Sequence, residues 1–371
     1  MSTVLPAPSQ PSSWWDKLHL DLFLLAGLFL LAGIGLAILY SAGGGDMKLV
    51  GKQGIRLTIA FTSLFLLAQV HPKTFYRWSA VMYGVGMVLL VAVLLLGDIG
   101  KGAQRWLDLG FVRFQPSEFV KIFTPLMVAR FLSDRPLPPQ AREIALAGLL
   151  ILVPALLIAK QPDLGTALLV CSSGFAVLFL AGLSWRLLIA LIVGGAALLP
   201  LAWHFMHDYQ RDRVLMFLNP EQDPLGRGYH TIQAKIAIGS GGLSGKGWLA
   251  GTQSHLEFLP EPSTDFIFAV LAEEFGLIGC LSVLVLYLAI IGRGFVMALQ
   301  AQDTFSRLLI GSLAFTFFVY VFVNVGMVAG ILPVVGVPLP LISYGGTSMV
   351  TLLAGFGIMM SLHTHRKLVP S

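Results

Sequence analysis

Residues 306–330 read SRLLIGSLAFTFFVYVFVNVGMVAG, and no charge follows Arg307 in that run. About 20 consecutive apolar residues suffice for a helix to cross the hydrocarbon of a bilayer, so the stretch reads as a transmembrane helix. Working outward from it, further runs of the same character occupy 20–41, 55–71, 78–97, 117–133, 143–159, 164–182, 185–206, 265–291 and 343–362. Several are short or interrupted, as at Pro125 and Pro154; such breaks are tolerated where neighbouring helices re-satisfy the backbone. Composition agrees. Of 371 residues, 56% are hydrophobic and 12% are charged, against roughly 25% charged in a soluble domain. The expected fold is all-α: one polytopic integral membrane domain over residues 1–371, with about ten transmembrane helices.

The first 19 residues are polar and rich in Pro and Ser, and no small-residue cleavage site follows the first apolar run. That run is expected to stay as the first span. Cys171 and Cys280 both lie inside apolar segments and read as small core residues, not as a disulfide. The net charge of +5 suits anionic lipid or a polyanionic lipid substrate.

Orientation follows the bias of Lys and Arg in short loops. With the N-terminus inside, the inner segments hold Lys17, Lys73, Arg77, Arg130, Arg135, Arg142, Arg186, Arg293, Arg307, Arg366 and Lys367. The short outer loops hold fewer: Lys48, Lys52, Arg56, Lys101, Arg105, Arg113 and Lys160. Both termini, 1–19 and 363–371, are then cytoplasmic. One long extracytoplasmic loop, 207–264, joins spans 7 and 8. Loops of that length are functional or disordered as a rule, and its apolar and aromatic content argues for order, with Ile232, Ala234, Ile236 and Ile238 able to lie on the membrane surface.

Several signals fail. Residues 239–247, Gly-Ser-Gly-Gly-Leu-Ser-Gly-Lys-Gly, miss the phosphate-loop pattern, since Ser240 stands where a glycine is required and Gly247 where Ser or Thr would bind magnesium. No Asp-x-Asp pair, zinc spacing or Gly-x-Ser-x-Gly elbow appears. His363 and His365 in the basic tail have no companion ligand. Nothing points to a nucleotide cofactor or to a nucleic acid partner.

One device recurs. Gln115-Pro116-Ser117-Glu118, Gln161-Pro162-Asp163 and Glu261-Pro262-Ser263-Thr264-Asp265 each open a span with a proline and an acid. Good capping accounts for the pattern in part, since Pro, Ser, Asp and acids all favour a first helical turn. Topology adds that spans 4, 6 and 8 all run inward, which sets Glu118, Asp163 and Asp265 near the outer boundary. Lys121 lies one turn below Glu118 on the same face, and ionisable groups within spans mark cavities. Glu273, eight residues past Asp265, is expected about 12 Å deeper, as a structural partner. The expectation is an outward cavity lined by these acids and by Lys121, Arg105, Arg211, Arg213, Arg227 and Lys246, cationic enough for the pyrophosphate of a lipid-linked sugar.

Arg105-Trp106-Leu107, Phe114-Gln115-Pro116-Ser117-Glu118-Phe119-x-Lys121, Gly251-Thr252-Gln253-Ser254 running into Phe258-Leu259-Pro260-Glu261-Pro262-Ser263-Thr264-Asp265-Phe266-Ile267-Phe268-Ala269, and Pro338-Leu339-Pro340-Leu341-Ile342-Ser343-Tyr344-Gly345-Gly346 together resemble the SEDS family (shape, elongation, division and sporulation). The likeness runs over essentially the whole chain and is closest to the members that act in elongation. Ser263 departs from a frequent family histidine. The resemblance implies a peptidoglycan glycosyltransferase in the bacterial cytoplasmic (inner) membrane, its site facing outward, polymerising lipid II for lateral wall growth and rod shape. It also implies a class B penicillin-binding transpeptidase as partner, and MreC, MreD and RodZ as further members of a rod-shape complex. Asp265, resembling the family's essential aspartate, is then the expected catalytic base, with Glu118, Lys121, Arg105, Trp106, Asp163, Arg211, Arg213 and Lys246 binding substrate. A divalent cation, Mg or Mn, is an alternative source of positive charge at the pyrophosphate. Two other readings are a lipid II flippase, which needs a polar route through the inner half as well, and a non-catalytic scaffold for the transpeptidase.

Overall fold

The computed structural model describes residues 18–100, 103–108, 113–205, 211, 215, 229–255 and 261–365. Lys101, Arg213, Arg227, Phe258-Leu259-Pro260 and the terminal segments carrying Lys17, Arg366 and Lys367 lie outside the described residues.

Helices stand at all ten expected places: α1 (Leu22–Ala42), α2 (Met47–Ala68), α3 (Pro72–Leu96), α4 (Pro116–Ser133), α5 (Ala141–Lys160), α6 (Leu164–Leu180), α7 (Trp185–Phe205), α10 (Ile267–Leu299), α11 (Thr304–Val328) and α12 (Thr347–Thr364). Two shorter helices, α8 (Tyr229–Gly241) and α9 (Thr252–His255), lie in the long loop. By length and composition alone, α1, α3, α5, α10, α11 and α12 can each cross a membrane. Local chemistry fixes the starts. Side chains of Asp21, Asp46, Asp163 and Asp303 accept from the backbone amides of Leu24, Lys48, Thr166 and Ser306 at 2.9, 2.8, 3.1 and 2.9 Å, the usual N-cap bond. Pro72 and Pro116 open α3 and α4, where a missing amide costs nothing.

Three short antiparallel strands between α3 and α4 add to the expected helices: β1 (Asp98–Gly100), β2 (Ala103–Asp108) and β3 (Arg113–Phe114), in the order β1-β2-β3. α2 also begins earlier than expected. Lys48, Lys52 and Arg56 belong to its first three turns and not to a loop, because Asp46 caps there and long basic side chains snorkel off an apolar helix. The core is built on α11, which packs against α4, α6, α10 and α12.

The largest departure concerns span 8. It was expected as one run over 265–291. Instead α10 is broken at Gly276, whose φ of 63° and ψ of −162° lie outside the helical region. The glycine-rich segment that failed as a phosphate loop fills the break. Leu277 and Ile278 amides donate to Gly242 and Leu243 carbonyls at 3.0 and 3.1 Å, while the amides of Lys246 and Gly247 donate to Glu273 and Glu274 carbonyls, both at 3.0 Å. Backbone groups released by a helix break must find partners in protein when water is absent, and here a second chain segment supplies them. Glycine is needed for the approach: at Gly245, with φ +80°, a Cβ would stand 2.1 Å from the Glu274 carbonyl oxygen. Gly245→Ala is therefore expected to lower the melting temperature in detergent, at a cost of about 1–3 kcal/mol. Gly239→Ala, with nothing within 4 Å of the new methyl, should leave it unchanged; equal melting of the two variants would refute the docking role.

Just before the break, Ser41, at the last turn of α1, donates to Glu274, so this acid stands beside the end of α1 that leads to Asp46. α8 corrects one expectation. Its buried residues are Ala234, Ala237 and Gly241, a helical spacing that lays small residues against α10 and α11. Ala234, expected at the membrane surface, therefore packs into the protein, while Ile236 is exposed.

Candidate functional site

The site is assembled around one face of α11. Lys121, in the second turn of α4, pairs with Glu118 at 2.6 Å, and both side chains are nearly inaccessible, at 6% and 7%. Lys121 also donates to the Tyr320 hydroxyl on α11, and Thr351 on α12 donates to Glu118 at 3.1 Å. With Thr316 these groups border a cavity of about 30 Å³. That is room for water, not for a sugar ring, so the pair forms the polar floor of the site.

One turn along α11, Asn324 is fully buried and donates to the Asp265 carbonyl at 3.0 Å and to the Val337 carbonyl at 2.8 Å. Asp265 was placed in the first turn of its span. It lies instead one residue before the N-cap, Phe266, in a turn that precedes α10, because the loop side of that turn is held by the segment before α12. Tyr344 N donates to Ser263 O at 2.8 Å, and Ser343 Oγ to Thr264 O at 2.6 Å. Three successive carbonyls, of Ser263, Thr264 and Asp265, are thus each clamped. Gly336, with φ +71°, presents a bare wall to the Asp265 carboxylate: a Cβ there would stand 3.5 Å from Oδ2. Asp265 is half-buried.

The other expected residues fall into different roles. Asp163 caps α6 through one oxygen and accepts from Gln115 Nε2 at 2.8 Å through the other, and it is buried. Arg105, on β2, donates to the carbonyls of Gln161 (3.3 Å) and Pro162, so it braces the start of α6. Trp106 pairs across to Asp98 in the sheet and is half-buried. Arg211 donates to the Trp203 and His204 carbonyls at 3.0 and 2.8 Å, at the end of α7. Lys246 reaches Glu273 Oε1 and Thr252 Oγ1, each at 2.7 Å. Glu273 is fully buried and also accepts from the amides of Thr252 (2.8 Å) and Gln253 (3.0 Å). It ties the Gly251-Thr252-Gln253 motif to α10, the structural role expected of it. Glu273→Gln is expected to loosen that tie, seen as faster protease cutting within 246–255 in outside-out membranes. Cutting at the wild-type rate would show that the backbone contacts suffice.

Sequence reasoning missed four groups. Tyr320 and Thr351 carry polar atoms in apolar helices, and the Tyr320/Asn324 spacing of one helical turn was the available signal. Arg56 lies 4.3 Å from the Tyr344 ring centroid, beside the clamped turn; it was counted only as a loop charge. His230, on α8, stacks on Phe266 at 6.1 Å and 17°. Burial pushes its imidazole below the ordinary range, with the Glu261 carboxylate opposing, so it is neutral at pH 7.

The FTSW_RODA_SPOVE profile, described as cell cycle protein, matches residues 15–368. A peptidoglycan glycosyltransferase, MrdB of Escherichia coli K12, is 56% identical over 358 residues, covering 96% of this chain and 97% of that one. The peptidoglycan glycosyltransferase RodA of Treponema pallidum is 30% identical, covering 93% and 98%. Among solved structures, a chain of a peptidoglycan synthase complex that coordinates polymerization and crosslinking superposes with a TM-score of 0.82 at 36% identity, covering 94% and 99%. The rod shape determining protein RodA of Thermus thermophilus gives 0.71 at 31% identity, covering 94% and 98%. Motifs, helices and relatives agree along the length of the chain: this is a multi-pass membrane protein, and it belongs to the FtsW/RodA/SpoVE family of cell cycle proteins.

Proposed function

We infer that the protein is a peptidoglycan glycosyltransferase that polymerises lipid II, and that Asp265 is its catalytic base. The observation that carries this reading is the shared face of α11. Asn324 holds the Asp265 backbone and Tyr320 holds the Lys121 ammonium, from positions one helical turn, about 6 Å, apart along one helix.

The chemistry asks for that pair. The acceptor 4-hydroxyl forms a bond to the donor's anomeric carbon while the bond to the pyrophosphate oxygen breaks, turning an α-linked donor into a β-1,4 linkage in one inversion. Asp265 takes the hydroxyl proton, a contribution typically of 10²–10⁴-fold. Undecaprenyl pyrophosphate leaves, and positive potential is needed where its charge develops. Lys121 supplies it from the floor, and Arg56 stands at the rim beside Tyr344. Arg105, Trp106 and Asp163 shape the α4–α6 side; Lys246 and Arg211 brace the loop above. A divalent cation does not fit as a protein-held cofactor: both Asp163 oxygens and Glu118 are already bonded, and no three acids, histidines or cysteines converge among the described residues. No step is routed through one.

The site faces outward on the cytoplasmic membrane, where a class B penicillin-binding transpeptidase would crosslink the strand, within a complex of MreC, MreD and RodZ. The three polar groups that a flippase route would use, Glu273, Glu274 and Asn324, all bond to groups at the Asp265 or Ser41 end of the fold, which favours an enzyme. Purified protein in detergent with labelled lipid II tests the reading. Glycan polymer is expected with no second compartment present; none, with the transpeptidase bound, would leave a flippase or scaffold.

A further inference from the structure

We propose that Asn324 is the positioning residue of the site, fixing Asp265 against its opposing wall. The inference rests on the assignment of Asp265 as the base.

Asn324 stands in an apolar stretch of α11 and has no exposure. Its two amide hydrogens go to two segments outside α11, the turn at Asp265 and the irregular stretch at Val337. Its Oδ1 is buried and has no hydrogen-bond partner among the described residues. A side chain selected only to stabilise α11 would not bring a buried, unsatisfied oxygen with it; an apolar residue of the same size would serve. What the amide provides is a link between two carbonyls.

That link has a geometric consequence. Val337 adjoins Gly336, the wall 3.5 Å from the Asp265 carboxylate when measured from a Cβ built on the glycine. One amide therefore holds both the backbone that carries the carboxylate and the backbone that faces it. Tyr344 and Ser343 clamp the two preceding carbonyls from the α12 side, whereas Asn324 ties the turn to the helix that also bears Tyr320 and its contact to Lys121. Releasing it would let the carboxylate drift relative to the cation. A misplacement of about 1 Å can cost about 10²-fold in rate.

The test uses the full chain with its transpeptidase partner, steady-state polymerisation of lipid II, and melting in detergent. Asn324→Leu keeps the shape and removes both donors. The expected result is a loss of about 10²-fold in kcat with KM within about twofold of wild type, and no further loss when the change is added to Asp265→Asn, because residues acting as a unit are not additive. Should the Leu variant not fold, Asn324→Ser, too short to span both carbonyls, is read the same way. Wild-type kcat, a loss matched by the unfolded fraction, or a loss that multiplies in the Asp265→Asn background would each overturn the proposal. If Asp265→Asn alone polymerises normally, it is the base assignment that fails, and the two failures are thereby told apart.

Discussion

Asp265→Asn protein is expected to insert, fold and bind its transpeptidase, yet to form glycan strand only at a small residual rate. The substitution keeps the size of the side chain and leaves the carbonyl bonded to Asn324, so the clamped turn should survive. It removes only the capacity to accept a proton. The loss should be of the order of 10²–10⁴-fold, read as polymer from purified protein and lipid II, with the melting temperature as the control. Asp265→Glu moves the carboxylate by about one carbon and should recover little. Helix capping offers a competing account, under which Asn, among the best capping residues, would be nearly neutral. The position argues against that account, since Phe266 and not Asp265 is the N-cap of α10. Wild-type polymerisation by the Asn variant would end the catalytic assignment.

Helices were legible because lipid imposes a length and an apolarity that survive in any one run, such as 306–330. What stayed hidden were contacts between segments far apart in sequence. Nothing local to residues 239–247 says that they will fill a break in α10, because the reason for their glycines is a backbone thirty residues away. The same holds for the break itself: Gly276 sits inside a run whose composition gives no sign of its φ of 63°. The recurring proline–acid device was read correctly as a pattern and divided by the structure: Asp163 caps α6 and accepts from Gln115, Glu118 pairs with Lys121 and Thr351, and Asp265 lies in the turn before an N-cap, facing Gly336. Arg105 and Arg211 illustrate the opposite limit. A cation near the surface suggests an anionic ligand, but both spend donors on carbonyls at helix ends, which no spacing rule reveals.

Glu118 and Lys121 should respond as one unit. The pair is buried, bonded at 2.6 Å and supported by Thr351 and Tyr320. Removing either partner leaves the other charge unpaired in a low-dielectric setting, at a cost of about 3–5 kcal/mol. Glu118→Ala and Lys121→Ala should therefore each lower the detergent melting temperature sharply and abolish polymerisation. The exchange of both, Glu118→Lys with Lys121→Glu, separates stability from function. Thr351 and Tyr320 carry hydroxyls that can either donate or accept, so the swapped pair can satisfy itself and the melting temperature should return most of the way. Activity should not return. The swap moves the cation from beside Tyr320, one turn from Asn324, to the first turn of α4, and the carboxylate left in its place would repel the leaving pyrophosphate at the point where charge builds up. Recovery of both folding and polymerisation by the swapped protein would reduce the pair to a structural tie and move the search for the pyrophosphate cation to Arg56.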